Sequence, residues 1–269
     1  MRHSLWLVFS GVLWAQGVKL PAELQAWQKV AVTARVTGLV ARVLVDRGSV
    51  VTEGERLVEL SAPEMKAQLA EVEVRALAVE AQKGEAEARR AAAESLAARL
   101  KTASGTPGAV SANELIQAEK QVESLKALLE GLEKNAAAVR AQADVMKELM
   151  GYLRIVAPFA GVVTERMVSP GALAGPAAGA LVELQDVSKL RLVVALPESE
   201  WKGLVMGARL SFTVPAWPGR TFTGVVARRA RVLDAKTRTM PVELDVVTGD
   251  GALGPGMYAE VALGGARTR

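Results

Sequence analysis

The chain has 269 residues, contains no cysteine and has a single histidine, His3. These counts exclude metal sites built from cysteine and histidine, cysteine nucleophiles, and catalytic triads that require a histidine within a folded domain. The formal net charge is +4, and the excess of basic residues lies outside an alanine-rich central stretch, mostly after Leu184.

The N-terminus has the pattern of an export signal. Arg2 and His3 precede an apolar run from Leu5 to Ala15, which is shorter than the ~20 residues that span a bilayer. We therefore predict a signal peptide at residues 1–16 and an exported protein. An uncleaved inner-membrane anchor stays open, because Leu13 is larger than the residue preferred two places before a cleavage after Ala15. The residues that follow, up to 27, are interpreted as a polar connector.

The segments 28–62 and 151–186 carry the same β-strand motif. Both alternate apolar and polar residues and place glycines at corresponding positions. The matching features are Gly38 and Gly161, Gly48 and Gly171, and the runs Leu57–Leu60 and Leu181–Leu184. Neither segment alone has enough strands to bury a core. We therefore predict that the two interlock as one small β-sandwich.

Residues 63–150 separate the two copies of this motif and have helical periodicity. Apolar residues recur at alternating steps of three and four from Leu115 to Met150, whereas Lys83 and Arg90 interrupt the same pattern in the first arm. This spacing predicts an antiparallel coiled-coil hairpin with its tip at 102–112. Each arm has about forty residues, which at ~1.5 Å per residue gives a reach on the order of 55 to 60 Å.

Residues 187–264 return to β-strand periodicity without the repeat. A strand at Leu190–Leu196, a short helix beginning at Pro197 and several later strands between Gly, Pro and Asp turns predict a small antiparallel β-barrel, followed by a tail at 265–269. The predicted fold class is therefore α+β, in an elongated, multi-domain chain. A β-sandwich is split by a long α-helical hairpin and is followed by the barrel.

Three short motifs give this order of parts a family resemblance. They are the tract Ile155–Val163, the sequence Leu233–Thr239 with the pattern LD..TRT, and Leu253–Ala259 with the pattern L.PGM.A. The chain resembles the hemolysin D-like periplasmic adaptors, or membrane fusion proteins, of RND-type tripartite efflux systems. The resemblance implies a lipoyl-like (barrel-sandwich hybrid) fold for the sandwich and a periplasmic location, associated with the inner membrane.

The resemblance also implies a function and a set of partners. The protein would link an inner-membrane RND-type transporter to an outer-membrane channel by binding and sealing, and would self-associate into a ring. No catalysis, cofactor, metal or nucleic-acid partner is expected. An adaptor of an ABC-type exporter shares these modules and is the main alternative.

The resemblance places a channel contact at the hairpin tip. Val110–Leu115 matches the segment around a family serine, here Ser111. The family has leucine and arginine at the positions of Ser104 and Leu100, so Arg99 and Leu100 are interpreted as substitutes. The candidate contact residues are Arg99, Leu100, Ser104, Val110, Ser111 and Leu115. In an alternative interpretation, Ser111 caps the second helix and Glu114 completes a capping box.

A second candidate surface lies in the barrel. Arg228, Arg229 and Arg231 form a basic run, which in an exported protein indicates an acidic protein or anionic lipid partner more readily than nucleic acid. We interpret it as a patch that faces the pump or the lipid. The alternative is an ordinary solvated strand face.

Three further site types are weighed and not favoured. A biotin or lipoyl carrier would use Lys66, but this lysine opens the long first helix instead of lying in an exposed tight turn. Methionine ligation of a metal is disfavoured because Met65, Met146 and Met150 lie on the predicted seams as core residues. Carboxylate catalysis is disfavoured because the acids stand beside bases, as in Glu80 with Lys83 and Glu130 with Lys134.

Overall fold

The computed structural model describes residues 19–106, 109–247, 249 and 251–263. The predicted signal peptide and C-terminal tail lie outside these residues. The described elements are β1 (Lys19–Thr33), β2 (Gly38–Val43), β3 (Val50–Val51), β4 (Arg56–Ser61), α1 (Pro63–Ala103), α2 (Ala112–Gly151), β5 (Arg154–Val156), β6 (Gly161–Arg166), β7 (Leu173–Ala174), β8 (Ala180–Pro197), a 3₁₀ helix (Glu198–Gly203), β9 (Arg209–Thr213), β10 (Thr221–Arg229), β11 (Thr239–Val247) and β12 (Tyr258–Ala262). The α+β class is confirmed.

The two copies of the strand motif interlock as predicted. One sandwich sheet has the order β1-β8-β6-β3 and the other has the order β5-β4-β2-β7. Exchanging each strand with its counterpart in the repeat converts one order into the other, so every sheet takes strands from both sides of the hairpin. The sandwich can form only when residues before α1 meet residues after α2.

Paired glycines explain why the repeat keeps its spacing. A β-carbon on Gly161 would overlap the carbonyl group of Gln185, and one on Gly38 would lie 3.0 Å from the carbonyl oxygen of Ser61. Gly48 and Gly171 both have a φ of +88°, a conformation that favours glycine. Matching glycines therefore meet matching backbone constraints in the two halves.

The hairpin seam agrees with the predicted register. Every seam position from Met65 to Leu100 and from Leu115 to Met150 is buried or half-buried, including Lys83 and Arg90. Val72, Val79, Ala136, Val139 and Ala143 form its buried core. At the base of the hairpin, Met65 near the start of α1 and Met150 near the end of α2 pack against the sandwich core. The hairpin is thus anchored in the sandwich by both helices.

A ladder of ion pairs joins the two helices along one edge of the seam. Glu73, Glu80 and Glu94 of α1 lie 3.5 Å from Lys147, 2.8 Å from Arg140 and 3.9 Å from Lys126 of α2, respectively. The predicted pair of Glu80 with Lys83 is therefore wrong, because an antiparallel partner helix offers Glu80 an arginine. The predicted pair of Glu130 with Lys134 is confirmed at 2.6 Å.

Lys83 has a specific role in this ladder. At the remaining level two glutamates, Glu87 and Glu133, come from opposite helices, and the Lys83 ammonium lies 3.7 Å from a carboxylate oxygen of each. A lysine in the seam thus relieves a like-charge contact. Exposed pairs contribute only ~0.2–1 kcal/mol each, so we infer that the ladder fixes the register of the helices more than it stabilises them.

The interpretation of residues up to 27 as a polar connector is wrong. Residues from Lys19 to Glu23 of β1 pair with β12, and residues from Ala22 onward pair with β8. Leu20, Ala22 and Leu24 are buried in the barrel core. Their alternation with polar residues is a strand pattern that Pro21 obscures; Pro21 is paired with β12 alone, at a place where β8 pairing has not begun.

Two long strands join the barrel to the sandwich. Both β1 and β8 run through the two parts without a break and pair with each other over most of their length. Leu190, Leu192, Val194 and Leu196 of β8 lie in the barrel core, whereas Val182 and Leu184 lie in the sandwich core. The expected boundary near residue 187 therefore falls inside a strand.

The close-packed glycine gives a stability prediction. Gly161→Ala should lower the free energy of unfolding by about 1–3 kcal/mol, because the added methyl group overpacks against the backbone of β8. The matched control is Gly84→Ala in the middle of α1, where a β-carbon meets open space and should raise the stability by about 1 kcal/mol. Urea unfolding followed by circular dichroism measures both. Equal effects of the two substitutions would contradict the close-approach argument.

Candidate functional site

The hairpin tip is built on a capped helix start. The Ser111 hydroxyl oxygen accepts a hydrogen bond from the Asn113 amide at 3.2 Å, and the Glu114 carboxylate accepts one from the Ser111 amide at 3.2 Å. This reciprocal pair is a capping box, so the alternative interpretation of Ser111 is confirmed. A capping role leaves the channel-contact role of Ser111 as a prediction.

The other predicted tip residues divide into two groups. Arg99 and Ser104 are exposed, whereas Leu100, Val110 and Leu115 are half-buried. Ser104 is the C-cap that follows α1, and its hydroxyl donates to the Lys101 carbonyl at 2.8 Å. The three apolar candidates are therefore partly engaged within the hairpin, whereas the charged side chain of Arg99 is exposed to solvent.

Sequence reasoning missed two exposed apolar residues near the tip. Leu96 of α1 and Ile116 of α2 are both exposed. Ile116 directly follows the seam residue Leu115, and Leu96 stands one position before the seam residue Ala97. A large apolar side chain out of register with the seam is the signal that could have identified them.

The three arginines of the predicted basic patch have different surroundings in the structure. Arg228 lies 2.5 Å from both a Glu243 and an Asp245 carboxylate oxygen. The hydrogen bond to Glu243, with that to Asp245, raises the pKa of Arg228 above its ordinary value. Arg229 instead donates to the Leu204 carbonyl at 3.0 Å and stacks on Trp201 at 4.9 Å. Of the predicted patch, Arg231 is exposed, whereas Arg228 and Arg229 are half-buried.

Trp27 marks the junction between barrel and sandwich, and no motif in the sequence distinguishes it. It lies at a register shift between Ala26 and Gln28 of β1. Three cationic groups surround its ring, at 4.7 Å for Arg191, 5.2 Å for Arg228 and 5.7 Å for Lys189. Trp27 thus connects a bulge in the joining strand with the ion cluster of the barrel.

A groove of about 870 Å³ lies at the same junction, between the sandwich strands and the turn at Gly251–Gly256. The Glu183 carboxylate near it accepts hydrogen bonds from Thr164 at 2.9 Å and Gln185 at 2.8 Å and pairs with Lys29 at 2.9 Å. The hydrogen bond from Lys29 holds the pKa of Glu183 below its ordinary value. These groups tie β1, β6 and β8 together and satisfy one another.

The structure also bears on a metal site, a carrier lysine and a membrane-spanning helix. In the part of the chain that the structure describes, no three histidine, aspartate or glutamate side chains converge as metal ligands. Lys66 is exposed within the first turns of α1, away from any β-turn. Neither helix within the described ranges carries a stretch apolar enough to span a bilayer.

Two family models match the chain in the order of its parts. Residues 28–182 match the barrel-sandwich hybrid domain of RND membrane fusion proteins. Residues 190–267 match the CusB-like β-barrel domain. The first match spans both copies of the strand motif and the whole hairpin between them.

Individual proteins are similar over most of the chain. Nodulation protein NolF of Rhizobium meliloti (strain 1021) is 27% identical over 246 residues, covering 91% of this chain and 62% of NolF. Macrolide export protein MacA of Escherichia coli O157:H7 is 28% identical over 213 residues, covering 78% of this chain and 57% of MacA. The chain therefore spans less than two thirds of either relative.

The fold is also that of a solved structure. The crystal structure of MacA from Actinobacillus actinomycetemcomitans has a TM-score of 0.82 and 19% sequence identity, and the match covers 92% of this chain and 78% of that one. The long hairpin, the sandwich and the barrel are thus shared as one arrangement.

The capping box predicts a local effect at the tip. Ser111→Ala removes the acceptor for the Asn113 amide and should destabilise the helix start by about 1 kcal/mol, or about fivefold faster amide exchange in the first turn of α2. Ser111→Asn keeps a capping acceptor and should leave the exchange rates unchanged. Hydrogen exchange resolved to residues 111–116 measures both. Unchanged exchange in Ser111→Ala would contradict the cap.

Proposed function

The chain belongs to the membrane fusion protein family, and we propose that it is the periplasmic adaptor of a tripartite efflux system. It would link an inner-membrane RND-type transporter to an outer-membrane channel. The observation that carries the proposal is the hairpin: α1 and α2 have 41 and 40 residues, and at ~1.5 Å per residue they project on the order of 60 Å. A spacer of this length suits contact between two distant proteins.

The proposed contact with the channel is made by the tip. Arg99 and Ile116 present a cation and an apolar side chain, both exposed, and the capped start of α2 holds the neighbouring backbone in place. Arginine is enriched in protein interfaces. Leu100, Ser104, Val110, Ser111 and Leu115 remain candidate contacts that support this geometry.

Sealing would come from a ring of copies, for which the hairpin offers two uncharged faces. The outer face of α1 is Ala67, Ala70, Val74, Leu77, Ala81, Gly84, Ala88, Ala91, Ser95 and Ala98. The lateral face of α2 is Gln117, Gln121, Ser124, Leu128, Gly131, Asn135, Ala138, Gln142 and Val145. All these residues are exposed in the single chain, and small residues allow close helix packing. We infer that the α1 outer face of one copy packs against the α2 lateral face of the next.

The inner-membrane partner has two candidates. The name RND in the matching family model supports an RND-type transporter, and the name macrolide export protein of a relative supports export in a broader sense. An ABC-type exporter is the second candidate, because adaptors of such exporters share these modules. Co-purification of the native protein with its inner-membrane partner decides between them, since recovery of an ABC transporter would overturn the RND assignment. The proposed mechanism is binding, with no bond-making step.

The tip proposal predicts position-dependent crosslinking. A photoreactive amino acid at Arg99 or at Ile116 should form crosslinks to an outer-membrane channel protein in living cells. The matched control is the same amino acid at Lys134, which is exposed in the middle of α2 and should give none. Immunoblotting and mass spectrometry of the products are the measurement. Channel crosslinks from Lys134 but from neither tip position would overturn the tip assignment.

The ring proposal predicts a face-specific loss of assembly. Ala88→Glu places a charge in the α1 outer face, and burial of that unpaired charge should weaken self-association by about a hundredfold or more. Ala137→Glu makes the same change at an exposed position of α2 that shares its helix face with Lys134 and Arg140 and belongs to neither uncharged face, and it should leave assembly intact. Sedimentation velocity across a protein concentration series measures both variants. Equal behaviour of the two variants would contradict the assigned face.

A further inference from the structure

One end of the barrel forms a rim that neither the hairpin nor the sandwich covers. We call it the terminal rim and define it as the 3₁₀ helix Glu198–Gly203 and the loops 204–208 and 230–238. It lies where Pro197 of β8 pairs with Thr239 of β11, at the strand ends remote from the sandwich. Lys19 of β1 pairs with Ala262 of β12, so β1 also starts at this end of the barrel.

The terminal rim exposes three large apolar side chains in two neighbouring loops. The exposed fractions are 73% for Val232, 54% for Val205 and 45% for Met206. The residues beside them behave differently, because Leu204 is buried and Leu233 is half-buried. Leu204 and Leu233 therefore supply the apolar contacts of these loops with the barrel, whereas Val205, Met206 and Val232 face the outside.

Local contacts hold the two loops in place. Arg229 stacks on Trp201 of the 3₁₀ helix and donates to the Leu204 carbonyl. The Glu198 amide donates to the Arg238 carbonyl at 3.3 Å, and the Arg238 guanidinium lies 3.8 Å from the Glu198 carboxylate. These non-covalent contacts hold the loops that carry the apolar side chains, so less conformational entropy is lost when the rim binds a partner.

The rim also carries cations around the apolar residues. Lys202, Arg231 and Lys236 are exposed. The acidic groups of the rim are Glu198, Glu200 and Asp234; Glu198 pairs with Arg238, and Asp234 accepts the Lys236 amide at 2.8 Å. With four basic and three acidic residues the rim has a small positive excess, and apolar side chains beside exposed cations match the boundary between acyl chains and anionic headgroups.

The chain direction points to a membrane as the occupant. The apolar N-terminal run ends at Ala15, four residues before Lys19, and four extended residues reach about 13 Å. Retention of that run as the inner-membrane anchor left open above would keep the start of β1, and with it the terminal rim, near the lipid surface.

We propose that the terminal rim docks directly on an anionic phospholipid surface. Val205, Met206 and Val232 enter the headgroup boundary, and Lys202, Arg231 and Lys236 contact the phosphates. This inference rests on the proposed function, because the adaptor role places the rim at the periplasmic face of the inner membrane. The tip crosslinking experiment involves no lipid, so failure of the rim and failure of the adaptor role are distinguishable.

The absence of cysteine permits a direct test on the full chain. Val232→Cys is labelled with an environment-sensitive fluorophore and mixed with vesicles of phosphatidylethanolamine and phosphatidylglycerol. The matched control is Val247→Cys, a valine that is 78% exposed at the opposite end of β11. We expect a blue shift, and quenching by brominated lipid, for the label at 232 and neither for the label at 247. Because both proteins keep the same N-terminus, vesicle binding through that segment affects them equally.

Charge dependence completes the test. Adding Arg231→Gln to the labelled Val232→Cys protein should lower the immersed fraction about fivefold at low salt, from the loss of one surface cation. Vesicles of phosphatidylcholine alone should give a much smaller shift. A label at 232 that stays in water on vesicle-bound protein overturns the proposal. It is equally overturned if the label is shielded only by added inner-membrane transporter, since the rim would then bind protein.

Discussion

The pairing of β1 with β8 is the interaction on which the rest of the structure depends. Leu20, Ala22 and Leu24 of β1 lie in the barrel core, and Val32 of the same strand lies in the sandwich core. β8 contributes to both cores in the same way. A two-stranded ribbon therefore belongs to two hydrophobic cores at once, and loss of either core removes support from the other. The groove at 251–256 and the bulge at Trp27 lie where the ribbon passes from one core to the other.

The hairpin depends on this base because its two helices begin and end in the sandwich. Leu60 of β4 donates its amide to the Leu153 carbonyl at 2.8 Å, so the residues that flank α1 and α2 are joined by a backbone hydrogen bond. That closure sets which residue of α1 faces which residue of α2. The heptad seam alone permits slips of seven residues, but a slip would place Glu73, Glu80 and Glu94 opposite different partners. Base closure and ion-pair ladder thus specify one register for the tip.

Much of the fold could be predicted because it rests on local periodicity and on a repeat. The seam from Leu115 to Met150, the doubled strand motif and the capping box at Ser111 each show themselves within a short window of sequence. Features that require knowledge of the partner strand or helix could not be predicted. Glu80 pairs with Arg140 instead of Lys83 because the neighbour comes from the other helix, and Arg228 is neutralised by Glu243 and Asp245, which lie on the next strand. The start of β1 was missed because Pro21 and polar neighbours hide a strand whose partner, β12, lies more than two hundred residues later in the sequence.

Pairing of charged side chains within the chain also decides which charges stay available to partners. Along α1 the acidic residues Glu73, Glu80 and Glu94 are paired with bases of α2, and the α1 outer face defined above contains no charged residue. Charges that satisfy each other internally give no attraction between copies, so contact between hairpins would depend on shape and on small side chains. In the barrel, Arg228 is likewise engaged internally, whereas Arg231 and Lys202 stay exposed. Internal pairing therefore engages several charges of the hairpin and the barrel, whereas Arg99 at the tip and Arg231 at the terminal rim stay exposed, where partners would be met.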